Sequence, residues 1–416
     1  LESEGAVADS QRSAADAMGV NRCWYGVNGA TGLLQAALLG ISRPGEAVLM
    51  PRNAHRSLIQ ACLLGQLTPL LFDLPHLHDR GHPAPADAAW IESVLAALPD
   101  EHPPISAAVL VHPTYQGYGL DPAPLIQRLQ QKGWPVLVDE AHGSHFAAEV
   151  DPELPPSALR GGADLVVHSL QKSATGLAQT AVLWQQGERV DTTALERSLG
   201  WLQTTSPSAL LLASCEAALL HWHGPAGRRQ LGQRLIQART LRDQLRRDGL
   251  PLLTTEDPLR LVLQTGQAGI NGLDADDWLL PRGLVAELPE PATLTFCLGL
   301  GDQRGLRRPL RRAWQQLLKA HPGRRPQPPL SPPPLPLVAQ PEIAVAEAWR
   351  APHRLCLLEQ AENTIAADLL CPYPPGIPLL VPGERLDGAR LRWLLEQRKL
   401  WGDQIPGSLA VLAEVA

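Results

Sequence analysis

A lysine and an aspartate each follow a buried-strand pattern near the middle of this chain. Lys172 stands in V-V-H-S-L-Q-K-S-A-T-G, after an apolar run that ends at Val167, and Asp139 ends the run V-L-V-D. Such short apolar runs are typical of buried strands. A lone lysine is usually a solvated loop residue. Together, however, a lysine amine can hold an aldehyde as a Schiff base while a carboxylate keeps a pyridine nitrogen protonated. The pair therefore predicts an enzyme that uses pyridoxal 5'-phosphate (PLP).

Three other turns place small or polar residues directly after predicted strands. The turn N-G-A-T-G at 28–32 precedes an apolar helix, whose free N–H groups can bind an anion. His55 lies in the turn P-R-N-A-H-R-S, and Thr114 and Tyr115 lie in H-P-T-Y-Q-G. Because open α/β sheets bind ligands at the carboxyl ends of their strands, we expect these turns to line one crevice. Simpler interpretations, a plain Gly-rich turn and a surface histidine at a helix start, stay open at this point.

The order of the predicted elements indicates an α/β fold with a mostly parallel sheet and helices on both faces. Strand and helix patterns alternate from the first helix to Asp139, which is typical of βαβ units. Strand patterns near 259–264, 283–287 and 293–298, followed by a helical pattern over 302–319, predict a second, small α/β domain. The resulting boundaries are 1–225 for the large domain, 226–320 for the small domain, 321–341 for a Pro-rich linker and 342–416 for a C-terminal segment.

Composition argues against several classes of protein. The net charge of −6 gives no reason to expect nucleic acid or an anionic membrane as a partner. No apolar run reaches the roughly 18 residues of a membrane span, and no secretory leader is visible. The six cysteines are far apart and form no C-x-x-C pair, so we expect reduced thiols in a cytoplasmic protein, with neither a disulfide frame nor a metal site.

Seven motifs, taken in their order, resemble those of the fold-type I ornithine/lysine/arginine decarboxylases. Besides the three turns above, they are V-D-E-A-H-G-S-H-F, H-S-L-Q-K, T-T-S-P-S and Y-P-P-G-I-P-L-L-V-P-G-E. The likeness is strong over 10–220, weak in the small domain, and returns at 372–386. It implies the aspartate-aminotransferase-type fold, PLP as cofactor, and decarboxylation of lysine, ornithine or arginine to the corresponding amine and CO₂. The sequence does not choose among these three substrates.

The resemblance also implies roles for individual residues. Lys172 matches the Schiff-base lysine, Asp139 the partner of the pyridinium nitrogen, and His55 the side chain that stacks on the cofactor ring. His142 is expected to bond either Asp139 or the cofactor's phenolic oxygen, or to act in support of those groups. Glu384 is a candidate for the substrate's distal amine or guanidinium, although a turn acid in a Pro-Gly loop is the simpler interpretation. The expected phosphate site contains Ala30, Thr31, Ser169, Gln171 and, from a neighbouring subunit, Thr205, which implies a homodimer or a higher homo-oligomer.

Two departures from the family's pattern leave alternatives open. Gln171 stands where family members usually have histidine; glutamine can donate a hydrogen bond to phosphate but carries no charge. Family members also have a segment with an H-T-P-G-H-type motif ahead of residue 1, so the chain is expected to be a fragment or a processed form. One rival is an α-oxoamine synthase, although its lysine stretch usually reads S-K followed by Gly-rich sequence and it lacks the Y-P-P-G-I-P tail. The other rival is a catalytically silent protein with the same fold.

Overall fold

The structure, a computed structural model, describes residues 4–301, 305–372 and 377–413. In these ranges the strands are β1 (Arg22–Gly26), β2 (Ala47–Pro51), β3 (Thr68–Phe72), β4 (His76–Leu77), β5 (His82–Pro83), β6 (Ile105–Val111), β7 (Val136–Asp139), β8 (Leu165–Ser169), β9 (Ala181–Gln185), β10 (Arg260–Leu263), β11 (Leu288–Glu290), β12 (Thr293–Cys297), β13 (Val338–Ala339), β14 (His353–Leu357) and β15 (Ser408–Leu412). The α-helices are α1 (Ala6–Met18), α2 (Gly29–Ile41), α3 (Arg56–Gly65), α4 (Ala88–Ala96), α5 (Ala123–Gln130), α6 (Leu170–Ser173), α7 (Thr192–Leu202), α8 (Ala209–His223), α9 (Pro225–Arg247), α10 (Gly272–Leu279), α11 (Arg307–Ala320), α12 (Val345–Arg350) and α13 (Gly388–Trp401).

Local sequence signals account for several helix boundaries. Asp387 caps α13 because its carboxylate accepts the N–H groups of Ala389 and Arg390 at 2.8 Å. Gly19 ends α1 with a φ of 68°, a left-handed conformation that glycine adopts at little cost. Pro225 begins α9, at the position where its missing N–H removes no helical hydrogen bond. These helix ends are therefore determined by residues that lie next to them in the sequence.

Eight strands form the central sheet, in the order β1-β9-β8-β7-β6-β2-β3-β13. The five strands from β8 to β3 in this order are parallel. β9 is antiparallel to both of its neighbours, and β13 is antiparallel to β3. The carboxyl ends of β1, β2, β6, β7 and β8 consequently lie at one end of the sheet. This topology confirms the predicted mostly parallel α/β sheet.

Helices cover both faces of this sheet, as the alternation of side chains requires. Val138 and Val166 point into one core, which α1, α4, α5 and α8 cover. Leu137 and Val167, their neighbours along β7 and β8, point into the opposite core beneath α2, α3 and α7. Full burial of such a side chain contributes about 1.5–3 kcal/mol. The two cores hold the strand ends rigidly, and these ends carry the predicted site.

The small domain is an antiparallel sheet in the order β10-β12-β11, packed against α9, α10 and α11. The strand predicted over 283–287 is wrong, because β11 is Leu288–Glu290. Its register is set by β12, where Leu288 pairs with Thr295, while Gly283 ends a 3₁₀ turn with a φ of 74°. The helix predicted over 302–319 begins at Arg307 in the described part of the chain; residues 302–304 lie outside it.

The Pro-rich segment 321–341 is extended and contacts the small domain, where the N–H of Gln327 donates to the carbonyl of Gly266, as well as the large domain and α13. Its strand β13 pairs with β3 of the central sheet. The N–H of Leu330 donates to the carbonyl of His78 at 2.7 Å, and the indole of Trp393 donates to the carbonyl of Ser331 at 3.0 Å. The segment thus connects the large domain to α13.

The C-terminal segment has a hydrophobic cluster of its own, in which Leu358, Leu394 and Val411 are buried. Its two strands, β14 and β15, form an antiparallel pair. All six cysteines of the chain are unpaired. Among the described helices, none has the combination of length and apolar character that crossing a bilayer requires.

Candidate active site

Side chains from three parallel strands meet in one cavity of about 480 Å³ at the carboxyl end of the sheet. His55 follows β2, His142 follows β7, and Lys172 follows β8. The predicted crevice residue Tyr115 also faces this cavity, whereas the hydroxyl of Thr114 accepts the N–H of Tyr118 within its own turn. The described lining consists of His55, Tyr115, His142, Gln171, Lys172, Gly176, Ala178, Arg260, Glu287, Leu288 and Cys297.

Lys172 lies in α6, a single helical turn that directly follows β8. Its Nζ atom is 2.8 Å from Nε2 of His142. The amine opens onto the cavity, but protein surrounds it on the other sides. This burial lowers the pKa of Lys172, while the charges of Asp139 and Glu287 partly raise it. A lysine with a lowered pKa is more often neutral and therefore nucleophilic.

Asp139 ends β7, and its buried carboxylate has few polar partners to offset its loss of contact with water. Its Oδ1 accepts the N–H of Ala141 at 3.1 Å, and no other hydrogen bond to this carboxylate occurs within the described residues. Burial raises the pKa of Asp139, and the charge of Lys172 opposes that shift. A buried carboxylate with an uncommitted oxygen suits a cationic N–H partner, which a protonated pyridine nitrogen provides.

His142 is held by Arg260, which reaches it from the small domain. The guanidinium Nη2 donates to Nδ1 of His142 at 3.0 Å and to its carbonyl at 3.2 Å. Guanidinium groups only donate, so Nδ1 accepts and the ring proton sits on Nε2, beside Lys172. Burial, followed by the charges of Lys172 and Arg260, holds the pKa of His142 well below its usual value. Of the two partners expected for His142, Asp139 does not bond it, since its side-chain partners here are Lys172 and Arg260. The contact with the cofactor's phenolic oxygen stays a prediction.

His55 caps α3 and presents its ring to the cavity. Its Nδ1 accepts the N–H of Ser57 at 3.2 Å and lies 2.8 Å from the Ser57 hydroxyl. Burial and the nearby charge of Lys172 lower the pKa of His55 to about 4. The ring is consequently neutral near pH 7 and offers a flat face, as a stacking role requires.

The predicted phosphate turn lies at the first turn of α2. Ala30 and Thr31 are there, and no side chain caps this helix N-terminus. Gly29, with a φ of 71°, donates its N–H to the carbonyl of Gln179 at 2.8 Å. Gln179 in turn donates its N–H to Oε1 of Gln171 at 2.7 Å. Gln171 therefore supports the loop beside this turn through its side-chain amide oxygen.

The two remaining phosphate candidates occupy different environments. Ser169 is buried at the end of β8, directly before α6. Thr205 is exposed in the connection between α7 and α8 and is not part of the cavity lining within the described chain. Ser169 is thus close to Lys172 in its own chain, whereas Thr205 faces outward.

Glu384 belongs to a buried ion-pair cluster and does not line the cavity at Lys172. Its Oε1 accepts from Arg52 at 2.6 Å, and its Oε2 accepts from Arg390 at 3.0 Å and from the N–H of Val381 at 3.0 Å. Both oxygens are therefore engaged within this chain, and the predicted contact with a substrate cation has no support in this geometry. Residues 373–376 of the same motif lie outside the described ranges.

We expect Glu384→Gln to destabilise the fold by about 3–5 kcal/mol, because it leaves two buried guanidinium groups without their charge partner. Urea unfolding measures the change. Glu342→Gln is the matched control, since Glu342 pairs with Arg385 at a half-exposed site, where such pairs contribute less than about 1 kcal/mol. Equal losses in the free energy of unfolding of the two variants would contradict the assignment of Glu384 to a buried ion-pair cluster.

The same cluster predicts a pH dependence. Burial alone would raise the pKa of Glu384, but Arg52 and Arg390 bring it below its usual value. The contribution to stability is accordingly present above the unfolded pKa of about 4.3 and is lost as the pH falls through the lower folded pKa. In Glu384→Gln this part of the acid destabilisation should disappear.

Sequence reasoning missed the cavity residues that the small domain supplies. Arg260 begins β10, Glu287 precedes β11, and Cys297 ends β12. None of them stands in a recognisable motif. A charged residue within a short apolar strand pattern, as at Arg260, is the one local signal that pointed to an unusual environment.

Comparisons with known proteins identify the family of this chain. The family model described as the major domain of Orn/Lys/Arg decarboxylases matches residues 1–261, and the model of the C-terminal domain of that family matches residues 333–410. An arginine decarboxylase of Halalkalibacterium halodurans is 29% identical over 412 residues, which cover 95% of this chain and 82% of that protein. An arginine decarboxylase of Bacillus subtilis is 27% identical over 409 residues, covering 94% and 81%.

Solved structures show the same fold. Lysine decarboxylase A from Pseudomonas aeruginosa superimposes with a TM-score of 0.82 at 18% identity, covering 99% of this chain and 72% of that one. The constitutive lysine decarboxylase of E. coli gives a TM-score of 0.79 at 18% identity, and the match covers 98% of this chain and 74% of that one. A structure of SPT with PLP gives a TM-score of 0.58 at 17% identity, and the match covers 77% of this chain and 78% of that one. The predicted fold-type I architecture is confirmed, and the chain belongs to the Orn/Lys/Arg decarboxylase family.

Proposed function

We propose that this protein is a PLP-dependent decarboxylase that converts lysine, ornithine or arginine to the corresponding amine and CO₂. The observation that carries the proposal is the convergence of Lys172, His142 and His55 on one cavity, with Asp139 buried at the end of β7, the strand that His142 follows. Membership of the decarboxylase family supplies the reaction class. A product assay with each of the three basic amino acids distinguishes among them.

The residues present fit PLP. Lys172 provides the amine for covalent attachment, and Asp139 provides a buried carboxylate with an open oxygen for the ring nitrogen. The uncapped N-terminus of α2 provides N–H groups and a positive dipole end for a phosphate. His55 provides a neutral ring that can lie on an aromatic face. When bound, PLP supplies the electron sink into which the bond to the departing carboxylate can release its electrons.

The protein's own contribution is to place charge and protons around that bond. Arg260 donates a hydrogen bond from Nη2 to His142, and its Nη1 lies 3.7 Å from Oδ2 of Asp257. Its side chain is only 1% exposed. It therefore offers little ionic stabilisation to the α-carboxylate, and the ground state is not favoured over the transition state. The amine of Lys172, in its protonated form, can pass a proton to the α-carbon after CO₂ has left. His142, whose Nε2 lies 2.8 Å from that amine, can hold it in position.

We also propose that the enzyme acts as a homodimer or a higher homo-oligomer that shares its active sites. Thr205, the candidate that would reach the phosphate from a second subunit, is exposed beside two large apolar residues. Trp201 is 87% exposed and Leu210 is 68% exposed, and burial of such side chains is what a subunit interface supplies. Light scattering on purified protein tests the assembly; a strictly monomeric, fully active enzyme would exclude the shared site.

A side-by-side product assay with lysine, ornithine and arginine tests the proposed reaction. We expect amine and CO₂ in equal amounts from at least one of them, and a visible absorption band after addition of PLP. CO₂ release that requires an acyl-CoA would instead support the α-oxoamine synthase alternative. Absence of both the band and the products would identify a catalytically silent protein.

A further inference from the structure

Behind Arg260 lie a buried carboxylate and a buried histidine that the proposed reaction does not yet use. Asp257 stands in the connection before β10, and His145 stands in the 3₁₀ turn that follows β7. Nε2 of His145 is 3.0 Å from Oδ1 of Asp257, and both side chains are fully buried. Nη1 of Arg260 is 3.7 Å from Oδ2 of the same carboxylate. These three side chains form one group, the Asp257 cluster, where the small domain meets the large domain.

The turn that follows β6 leaves room for the Asp257 cluster. The N–H of Asp257 donates to the carbonyl of Gly117 at 3.0 Å. Gly117 has a φ of 93°, and a Cβ atom at this position would lie 2.6 Å from Cγ of Arg260, whereas carbon atoms pack at about 3.5–4.0 Å. Glycine is therefore required here, because Arg260 passes through the space that a side chain would fill on its way to His142.

The hydrogen bonding of the Asp257 cluster is incomplete, which argues against a purely stabilising role. Oδ2 of Asp257, Nε of Arg260 and Nδ1 of His145 are buried without a hydrogen-bond partner in the described part of the chain, and such atoms cost stability. Burial alone would raise the pKa of Asp257, but His145 and Arg260 bring it below its usual value. The group is consequently a carboxylate near pH 7, and its charge holds the guanidinium that donates to His142.

We propose that Asp257 is a positioning residue for Lys172. It acts through Arg260 and His142 and does not itself touch the cofactor. Because Arg260 occupies Nδ1 of His142, the Nε2–H of that ring faces the lysine amine, 2.8 Å away. A neutral amine accepts this N–H, whereas an ammonium group only donates. The Asp257 cluster thereby favours the neutral amine, whose lone pair bonds the aldehyde carbon of PLP with loss of one water. This role rests on the proposed function, since it concerns attachment of the proposed cofactor.

Asp257→Asn tests the role, because it removes the charge that holds Arg260 and keeps the size of the side chain. We expect covalent attachment of PLP to the full chain, followed by its absorption band, to slow about 10- to 100-fold, the loss that removing a supporting partner causes at metal-binding histidines. In the loaded enzyme kcat should fall while KM changes little, because Asp257 does not contact the substrate. Histidine ¹⁵N NMR without PLP should show the Nε2–H tautomer of His142 in the wild type and a mixture in the variant.

Two further comparisons separate positioning from folding. Asp164→Asn is the matched control, because Asp164 is a 1% exposed carboxylate that pairs with Arg189 at the opposite end of β8; it should attach PLP at the wild-type rate. His145→Gln keeps an N–H donor for Asp257 and should retain most of the attachment rate. His145→Leu should lose it as Asp257→Asn does, and this pair decides the question if Asp257→Asn does not fold.

A wild-type attachment rate and an unchanged His142 tautomer in Asp257→Asn would overturn the positioning role, as would an equal loss of rate in Asp164→Asn. Slow attachment in Asp257→Asn, together with a wild type that releases no CO₂ from any basic amino acid, would contradict the proposed decarboxylation and still support the role of Asp257. If the wild type attached no PLP, the proposed function would fail, and the tautomer of His142 in the two proteins would still decide whether Asp257 positions it.

Discussion

Lys172→Ala will abolish covalent attachment of PLP and lower decarboxylation by about 10⁴-fold or more, the scale on which loss of a covalent catalytic group is felt. Lys172 supplies the amine that faces the cavity, and burial lowers its pKa so that a larger fraction is neutral. His142, 2.8 Å away, would then lose its neighbour. Borohydride reduction followed by peptide mass spectrometry shows which lysine carries the cofactor.

Lys132→Ala is the control for this variant, because Lys132 is an exposed lysine beyond α5. It should keep the absorption band, the borohydride-stable adduct and the activity of the wild type. An adduct found on a lysine other than Lys172, or full turnover in Lys172→Ala, would refute the assignment. Because Lys172 opens onto the cavity, the alanine variant should fold, and its unfolding midpoint without PLP checks this.

Asp139→Asn will keep covalent attachment of PLP but lower turnover by about 10³-fold, comparable to the loss when a buried catalytic carboxylate or oxyanion-hole donor is neutralised elsewhere. An amide has no negative charge with which to hold the ring nitrogen protonated, so the cofactor withdraws electrons less strongly. The adduct on Lys172 and the rate are measured together, which separates this effect from lost attachment.

The same substitution should make the cofactor-free protein at least as stable as the wild type at pH 7. Burial raises the folded pKa of Asp139, so the folded state holds its proton more tightly than the unfolded chain does. That contribution is present at low pH and is lost as the pH rises from the unfolded pKa through the folded one. Asparagine avoids this cost. An Asp139→Asn protein that is much less stable without PLP than the wild type would contradict this account.

Local patterns were sufficient to find the residues that follow parallel strands. Lys172 follows the short apolar run L-V-V, Asp139 follows V-L-V, and His55 follows another such run. Because parallel strands end together, the sequence could place these side chains in one crevice before their distances were known. The alternation of strand and helix patterns likewise predicted a sheet with helices on both faces.

Contacts between distant parts of the chain could not be predicted in the same way. Arg260 reaches His142 across 118 positions, and Arg52 reaches Glu384 across 332. Neither pair has a local signature, since a charge looks alike in sequence whether it is solvated or buried. The misplaced strand at 283–287 has a related cause, because L-V-A is apolar enough for a strand but the pairing partner in β12 selects the residues after it.

The Pro-rich segment has a consequence for the solubility of this protein. Val338 and Ala339 cover the edge of β3 by pairing with Phe72 and Leu71. The apolar strand β3 therefore has no exposed edge there with which another molecule could form backbone hydrogen bonds. The prolines that precede Val338 lack N–H groups and cannot extend the ladder outward. A truncation that removed this cover would leave L-L-F open to edge-to-edge aggregation, even with the catalytic cavity intact.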